Sequence, residues 1–278
     1  MRRIGLACLL WAAASYAALG WGQEGHAVVA EIAQRRLDSQ ARGLAARLLG
    51  EGRSLASVSS WADDVRAVRP KTYNWHFVDI PLDAGSYQPE RDCRADPELG
   101  DCVVAAIQRA RRDLACGTLD GERADALRFL VHFVGDVHQP LHNVGEARGG
   151  NDVRVELHAR GLTCTGACVP RREAMSLHAA WDTGMIQRVA RNWGAYVERL
   201  EAGFLRSAEA QGAVGGTPAD WSSEAHRAGQ DAWRAVPNAM VLDDAYFKAA
   251  LPVLDRQLGV AGLRLALLLN EAAAAACP

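Results

Sequence analysis

The sequence predicts a mainly α, single-domain fold with a small β-hairpin and long loops. Three observations carry this. Apolar residues recur at helical spacing in six segments, strand signals are few, and neither a repeat nor a linker divides the 278 residues. At 49% hydrophobic and 23% charged residues, the composition is that of a globular chain and excludes a disordered one. From Ala27 to Leu49, the residues Val29, Ile32, Ala33, Leu37, Leu44 and Leu48 trace a helical face. Helices are also predicted over 102–115, 122–142, 173–200, 219–235 and 243–272, with Pro140 ending or kinking the second of these. Residues 70–100 and 143–170, rich in Gly, Pro and Asp, read as long loops, and loops of that length are usually functional. Asn151 to His158 alternates polar and apolar residues, as one arm of a hairpin would.

Residues 1–20 stand apart from this domain. Arg2 and Arg3 precede an apolar stretch from Ile4 to Leu19, and the small residues Ala18 and Gly20 lie three and one before Trp21. This pattern predicts a secretory signal peptide cut between Gly20 and Trp21, leaving 21–278 as the folded domain. The segment is short for a membrane span, and Arg264 interrupts the apolar run near the C-terminus, so no membrane association is predicted. Removing Arg2 and Arg3 lowers the formal charge from -2 to -4. That balance excludes a groove holding phosphates by Lys and Arg alone, although bound metal would add charge that the tally omits.

Cleavage also removes Cys8 and leaves six cysteines, an even number that predicts disulfides in an exported chain. Six cysteines allow fifteen pairings and the sequence does not choose among them; Cys93–Cys102 and Cys164–Cys168 are near in sequence, which would leave Cys116 with Cys277. Their irregular spacing disfavours a thiolate zinc site. No Asn-x-Ser/Thr sequon is present, which, with the short signal peptide, points to a bacterial exported protein, periplasmic or extracellular.

The histidines are unevenly distributed. In LRFLVHFVGDVHQPLHN, His132 and Asp136 lie four apart on one helix face, and His142 follows Pro140. SLHAAWD repeats the spacing with His178 and Asp182. Two such pairs and a third histidine form an oxygen and nitrogen donor set suited to zinc. Neither the His-Glu-x-x-His of metalloproteases nor the paired Glu-x-x-His of di-iron bundles is present. SSWADDVR adds Asp63 and Arg66, and YNWHFVDI adds His76. After cleavage, the α-amine and carbonyl of Trp21 could chelate a metal in a five-membered ring, with His26 five residues on. His138 points away from Asp136 on a helix and reads as structural. His158 and His226 read as surface residues, Asp64 as part of the local fold, and Asp152 as a neighbour of the site.

Trp21, then GH, WADxxR, WHFVD, FLVHFVGDxxQPLH, GGN and LHxxWD, in this order, resemble the trinuclear-zinc, single-strand-specific nucleases of the fungal and plant nuclease/3′-nucleotidase type. The resemblance runs from Trp21 to Asp182 and implies the helical fold shared by zinc phospholipase C and these nucleases. It implies three Zn2+ ions. One is expected on Asp63, His76, His132 and Asp136. A second is expected on Trp21, His26 and a bridging carboxylate, for which Asp63 is the natural choice, with Asp136 completing the first site. The third is expected on His142, His178 and Asp182. Arg66 matches the family arginine at the scissile phosphate, and Asp63 and Asp136 share the catalytic centre with it. Phe77 and Asp79 match the residues that take a nucleobase, and Asn151 an asparagine near the substrate.

The implied activity is hydrolysis of single-stranded DNA and RNA to 5′-phosphorylated products, with 3′-mononucleotides as further substrates and no obligate protein partner. A carboxylate-bridged zinc pair activates water for in-line attack, while stacking on Phe77 demands an unpaired base. Zinc phospholipase C is the nearest alternative. The five-residue step from Trp21 to His26, the terminal Asp182 and the WADxxR and WHFVD motifs favour the nuclease. A non-catalytic zinc-binding envelope protein would have no use for Arg66, Phe77 and Asn151.

Overall fold

The computed structural model describes residues 21–158 and 172–277. The predicted 27–49 helix is two helices, α1 (Gln23–Gln34) and α2 (Ser39–Leu49). Asp38 separates them, because its carboxylate accepts the Ala41 amide at 2.8 Å and so caps a new helix. A short α3 (Trp61–Arg66) precedes the two antiparallel neighbours α4 (Val103–Cys116) and α5 (Asp120–His138). Further on come α6 (Trp193–Ala202), α7 (Pro218–Arg234) and the long α8 (Asp244–Ala274). Thr217 and Asp220 form a reciprocal cap at the start of α7, with Pro218 at its first position.

Helix α5 is the centre of the domain. It packs against α4 on one side and α8 on another, while α1 lies along α8. From Phe129 to His138 every residue of α5 is buried, so its apolar residues lie all round the helix rather than on one stripe. His132 and Asp136 therefore sit in the core, which is an expensive place for polar groups without partners.

The region predicted as a 173–200 helix begins instead as a strand. β1 (Arg154–His158) pairs antiparallel with β2 (Arg172–Ser176), placing Val155 opposite Met175. β3 (Val241–Leu242) joins β1 in parallel. The alternating burial of β2 is a strand pattern, and the apolar spacing of Leu177, Trp181 and Met185 takes over only after Ser176. The chain then turns through one wide π turn, Ala180–Gly184, before α6.

The predicted 70–100 loop contains a 3₁₀ segment, Pro70–His76, and one helical turn, Pro89–Asp92. The disulfides Cys93–Cys102 and Cys116–Cys277 pair as expected, and the second ties the end of α4 to the chain beyond α8. Cys164 and Cys168 lie outside the described residues. Among the described residues, no helix is long and apolar enough to cross a membrane.

Candidate metal centre and cleft

His132 and Asp136 project from one face of α5 towards His76, at the end of the 3₁₀ segment, and Asp63, on α3. His76 Nδ1 lies 3.1 Å from both His132 Nε2 and Asp136 Oδ2, and those two atoms lie 3.2 Å apart. Asp63 Oδ1 is 3.5 Å from His76 Nδ1 and from His132 Nε2. A tetrahedral ion with bonds of about 2.1 Å has ligand–ligand edges of about 3.4 Å, and the contacts of His76 and His132 with each other and with the two carboxylates are spaced as ligands of such an ion would be. His132 Nδ1 donates to the Ser59 carbonyl at 2.7 Å, so Nε2 is the ring nitrogen that faces the centre.

Asp136 faces two ways. Its other oxygen, Oδ1, lies 3.4 Å from His26 Nε2 and has no hydrogen bond of its own. The geometry therefore makes Asp136, not Asp63, the carboxylate between the first group and the group containing His26. Four residues further along α5 than His132, Asp136 reaches His26 Nε2, whereas Asp63 meets only His76 and His132 among these histidines. The His26 ring stacks on His132 with centroids 3.8 Å apart, and neither of its nitrogens has a partner. Trp21 is fully buried beside it, and the Gly22 amide donates to the Asp182 carbonyl at 2.9 Å.

Gly135 makes this packing possible. A Cβ there would stand 2.7 Å from His26 Nδ1. Gly135→Ala is expected to displace the imidazole and cut activity by about 10–100-fold, with partial metal loss, although alanine suits a helix better. Metal analysis and thermal melting check this, and full activity would place His26 outside the centre.

A third group lies beside the first two. His142 Nδ1 donates to the His76 carbonyl and His178 Nδ1 to the Gly149 carbonyl, each at 2.7 Å. Their Nε2 lone pairs then face one another at 3.1 Å, with Asp182 Oδ2 3.3 Å from His178 Nε2. Opposed lone pairs in a buried site are unfavourable unless a cation lies between them. Burial, with His142 alongside, drives the His178 pKa down to about 3, and burial pushes Asp182 well above the carboxylate range. Burial also opposes charge on His132, but Asp136 and Asp63 hold its pKa well above the ordinary histidine value, and a metal cation would take that proton's place. Among the described residues, three His/Asp groups could hold metal ions: His26, His132 and Asp136; Asp63, His76 and His132; and His142, His178 and Asp182.

These groups border a cleft of about 680 Å³ lined by Arg66, Phe77, Asp79, His142, Asn151 and His178, among others. Arg66 stacks its guanidinium 3.9 Å above the Tyr73 ring and donates to the Tyr73 carbonyl at 3.1 Å. Its Nε is buried without a partner. The protein packed around Asp79, together with the charges of Glu146 and Asp92, raises its pKa to about 6. The Asn151 side-chain amide donates to the Arg148 carbonyl at 2.9 Å and so braces the cleft wall.

The S1/P1 nuclease family profile matches residues 21–274. The chain belongs to the S1/P1 nuclease family. It is 33% identical over 275 residues to Endonuclease 2 of Arabidopsis thaliana, covering 91% of this chain and 90% of the relative. It is 30% identical over 280 residues to Nuclease P1 of Penicillium citrinum, covering 90% and 97%. With Nuclease S1 of Aspergillus oryzae it shares 29% over 274 residues, covering 89% and 90%. The mainly α fold with a small sheet is the S1/P1 nuclease fold, and the chain is a phosphodiester-hydrolysing nuclease.

Several residues of this S1/P1 nuclease are placed in ways the sequence does not reveal. Gln139 is fully buried, donates its side-chain amide to Asp182 Oδ1 and accepts from the Leu141 amide, so it orients that carboxylate. His138 turns away from the centre, with Nδ1 on the Val134 carbonyl and Nε2 on the buried Arg264, which fits a structural role. His226 is not a surface residue. It is buried, with Nδ1 2.6 Å from the Asn143 carbonyl and Nε2 3.0 Å from the Ala84 carbonyl, linking α7 to two loops. His158 is half-buried near Asp244, and Asp64 is exposed. Asp152 pairs with Arg148 at the surface rather than with a candidate ligand.

Proposed function

We propose that this nuclease is an exported zinc enzyme that cleaves single-stranded DNA and RNA to 5′-phosphorylated products and removes phosphate from 3′-mononucleotides. The observation that carries the reading is the donor set of Asp63, His76, His132 and Asp136 beside a cleft that also holds Arg66 and Phe77. The buried atoms of His26, Asp63, Asp136 and Asp182 that lack a hydrogen-bond partner fit metal ions in these groups. Zinc bound there supplies Lewis acidity, neutralising phosphate charge and making water a nucleophile near neutral pH.

The chain's own residues do the rest. Arg66, already oriented by Tyr73, offers its free guanidinium edge to the phosphate and stabilises the charge that builds at phosphorus. Phe77 stacks a nucleobase, which requires the base to be unpaired and so favours single strands with weak base preference. Asp79 hydrogen-bonds the base edge as a carboxyl below about pH 6 and as a carboxylate acceptor above it. Asn151 supports the wall on which the nucleotide rests.

Signal cleavage between Gly20 and Trp21 would free the Trp21 amine to join His26 and Asp136. A protein retaining one extra residue before Trp21 is expected to lose most activity and part of its metal, measured against the same chain starting at Trp21. Full activity with the extension would remove the amine from the centre. The function itself is tested by assaying purified protein on single-stranded DNA, RNA, a 3′-mononucleotide and phosphatidylcholine. Nucleic-acid cleavage leaving 5′-phosphates is expected, and lipid cleavage without it would overturn the reading in favour of a phospholipase C. Bound zinc with no turnover on any of these substrates would favour a storage protein.

A further inference from the structure

Residues 147–150 form an unusual turn on the cleft wall. Ala147, Arg148, Gly149 and Gly150 all have left-handed backbone, with φ of 46°, 54°, 62° and 83°. The glycines have clear reasons. A Cβ on Gly149 would stand 2.5 Å from the Leu141 carbonyl oxygen, and the Gly149 carbonyl must reach His178 Nδ1. Arg148 has no such reason, because glycine would adopt its conformation without strain.

The fold gains little from the Arg148 side chain. It is 72% exposed, and its ion-pair partner Asp152 is 52% exposed. Such a pair contributes little stability. The pair is nevertheless well defined, with Nε donating to Asp152 Oδ2 at 3.0 Å and Nη2 to Oδ1 at 2.6 Å. Two-point pairing neutralises the guanidinium and uses one of its edges, but leaves its flat faces open. Arg148 lines the same cleft as Phe77, Tyr73 and Asp79. Positive charge for phosphate is available there from Arg66 and from Arg154, which has no ion-pair partner among the described residues. A guanidinium plane, like an aromatic ring, stacks on unpaired bases.

We infer that Arg148 is a further substrate-binding residue, a planar platform held by Asp152 that contacts the nucleobase taken by Phe77. This rests on the nuclease reading of the cleft. It also gives the strained turn a function, since the side chain works on the substrate rather than on the fold.

The test is KM and kcat on a single-stranded oligonucleotide for Arg148→Gly, Arg148→Lys and Arg148→Trp, with melting temperatures. Arg148→Gly is expected to raise KM by about tenfold, the size of one weak stacking contact, with kcat within twofold and no fall in melting temperature. Arg148→Lys, which keeps charge but has no plane, should behave like the glycine variant. Arg148→Trp, a plane without charge, should restore KM to within about threefold of the parent. Rescue by lysine and not by tryptophan would make Arg148 a phosphate contact and overturn the inference. So would an unchanged KM in the glycine variant. If the parent protein cleaves no oligonucleotide, the nuclease reading fails first.

Discussion

Replacing Asp136 with asparagine is expected to lower nuclease kcat by on the order of 10³-fold and to strip the protein of two of the three metals proposed for it. Asp136 is the carboxylate whose two oxygens face two groups, Oδ2 towards His76 and His132 at 3.1 and 3.2 Å and Oδ1 towards His26 at 3.4 Å. An amide keeps the shape but loses the charge, and it turns an N–H towards either the His26 or the His132 lone pair. Losing several kcal/mol of metal-derived transition-state stabilisation corresponds to about 10³ at 1.36 kcal/mol per tenfold. Asp182→Asn is the contrast, since of the three groups Asp182 belongs only to that of His142 and His178 and its loss should release one metal. Metal content by mass spectrometry, beside kcat and circular dichroism, separates the two variants. An Asp136→Asn protein that kept all its metal and more than a tenth of its rate would refute the bridge.

Arg66→Ala is expected to lower kcat by about 10²–10³-fold while leaving metal content unchanged. The guanidinium is held from two sides by Tyr73, through ring stacking at 3.9 Å and a hydrogen bond to its carbonyl at 3.1 Å. The buried, unpartnered Nε lies on an edge those contacts do not use. None of the closest donor pairs in the three groups includes Arg66, so its removal should disturb charge stabilisation and not metal binding. Arg66→Lys should recover only part of the loss, because a point charge cannot reproduce a two-point contact with phosphate. An unchanged kcat in Arg66→Ala would take this residue out of the chemistry.

The parts of the site that were legible in the sequence are those set by local periodicity. His132 with Asp136 and His178 with Asp182 stand four apart in apolar runs, and that spacing is enough to put each pair on one face. What lies between elements was not legible. The choice of Asp136 over Asp63 as bridge depends on where α1 brings His26 against α5, and Gly135 permits that contact only in three dimensions. The carbonyls of Ser59, His76 and Gly149, which fix the imidazoles, carry no side-chain signal at all. Gln139 gave no sign of its contact with Asp182, 43 residues away. The fold shows the same division. Asp38 followed by Ser39 is a readable helix cap that splits 27–49. The strand Arg172–Ser176 was masked by the helical spacing that begins at Leu177. His226 gave no local hint of burial because its two carbonyl partners lie 83 and 142 residues away.

The most direct measurement is zinc stoichiometry by mass spectrometry on the cleaved protein, titrated against activity on single-stranded DNA as a chelator removes the metal and zinc restores it. Three zinc ions per chain at full activity, with activity falling as the ions leave and returning as they are replaced, are expected. Full cleavage by protein holding less than one metal per chain would contradict a metal centre built from these nine residues.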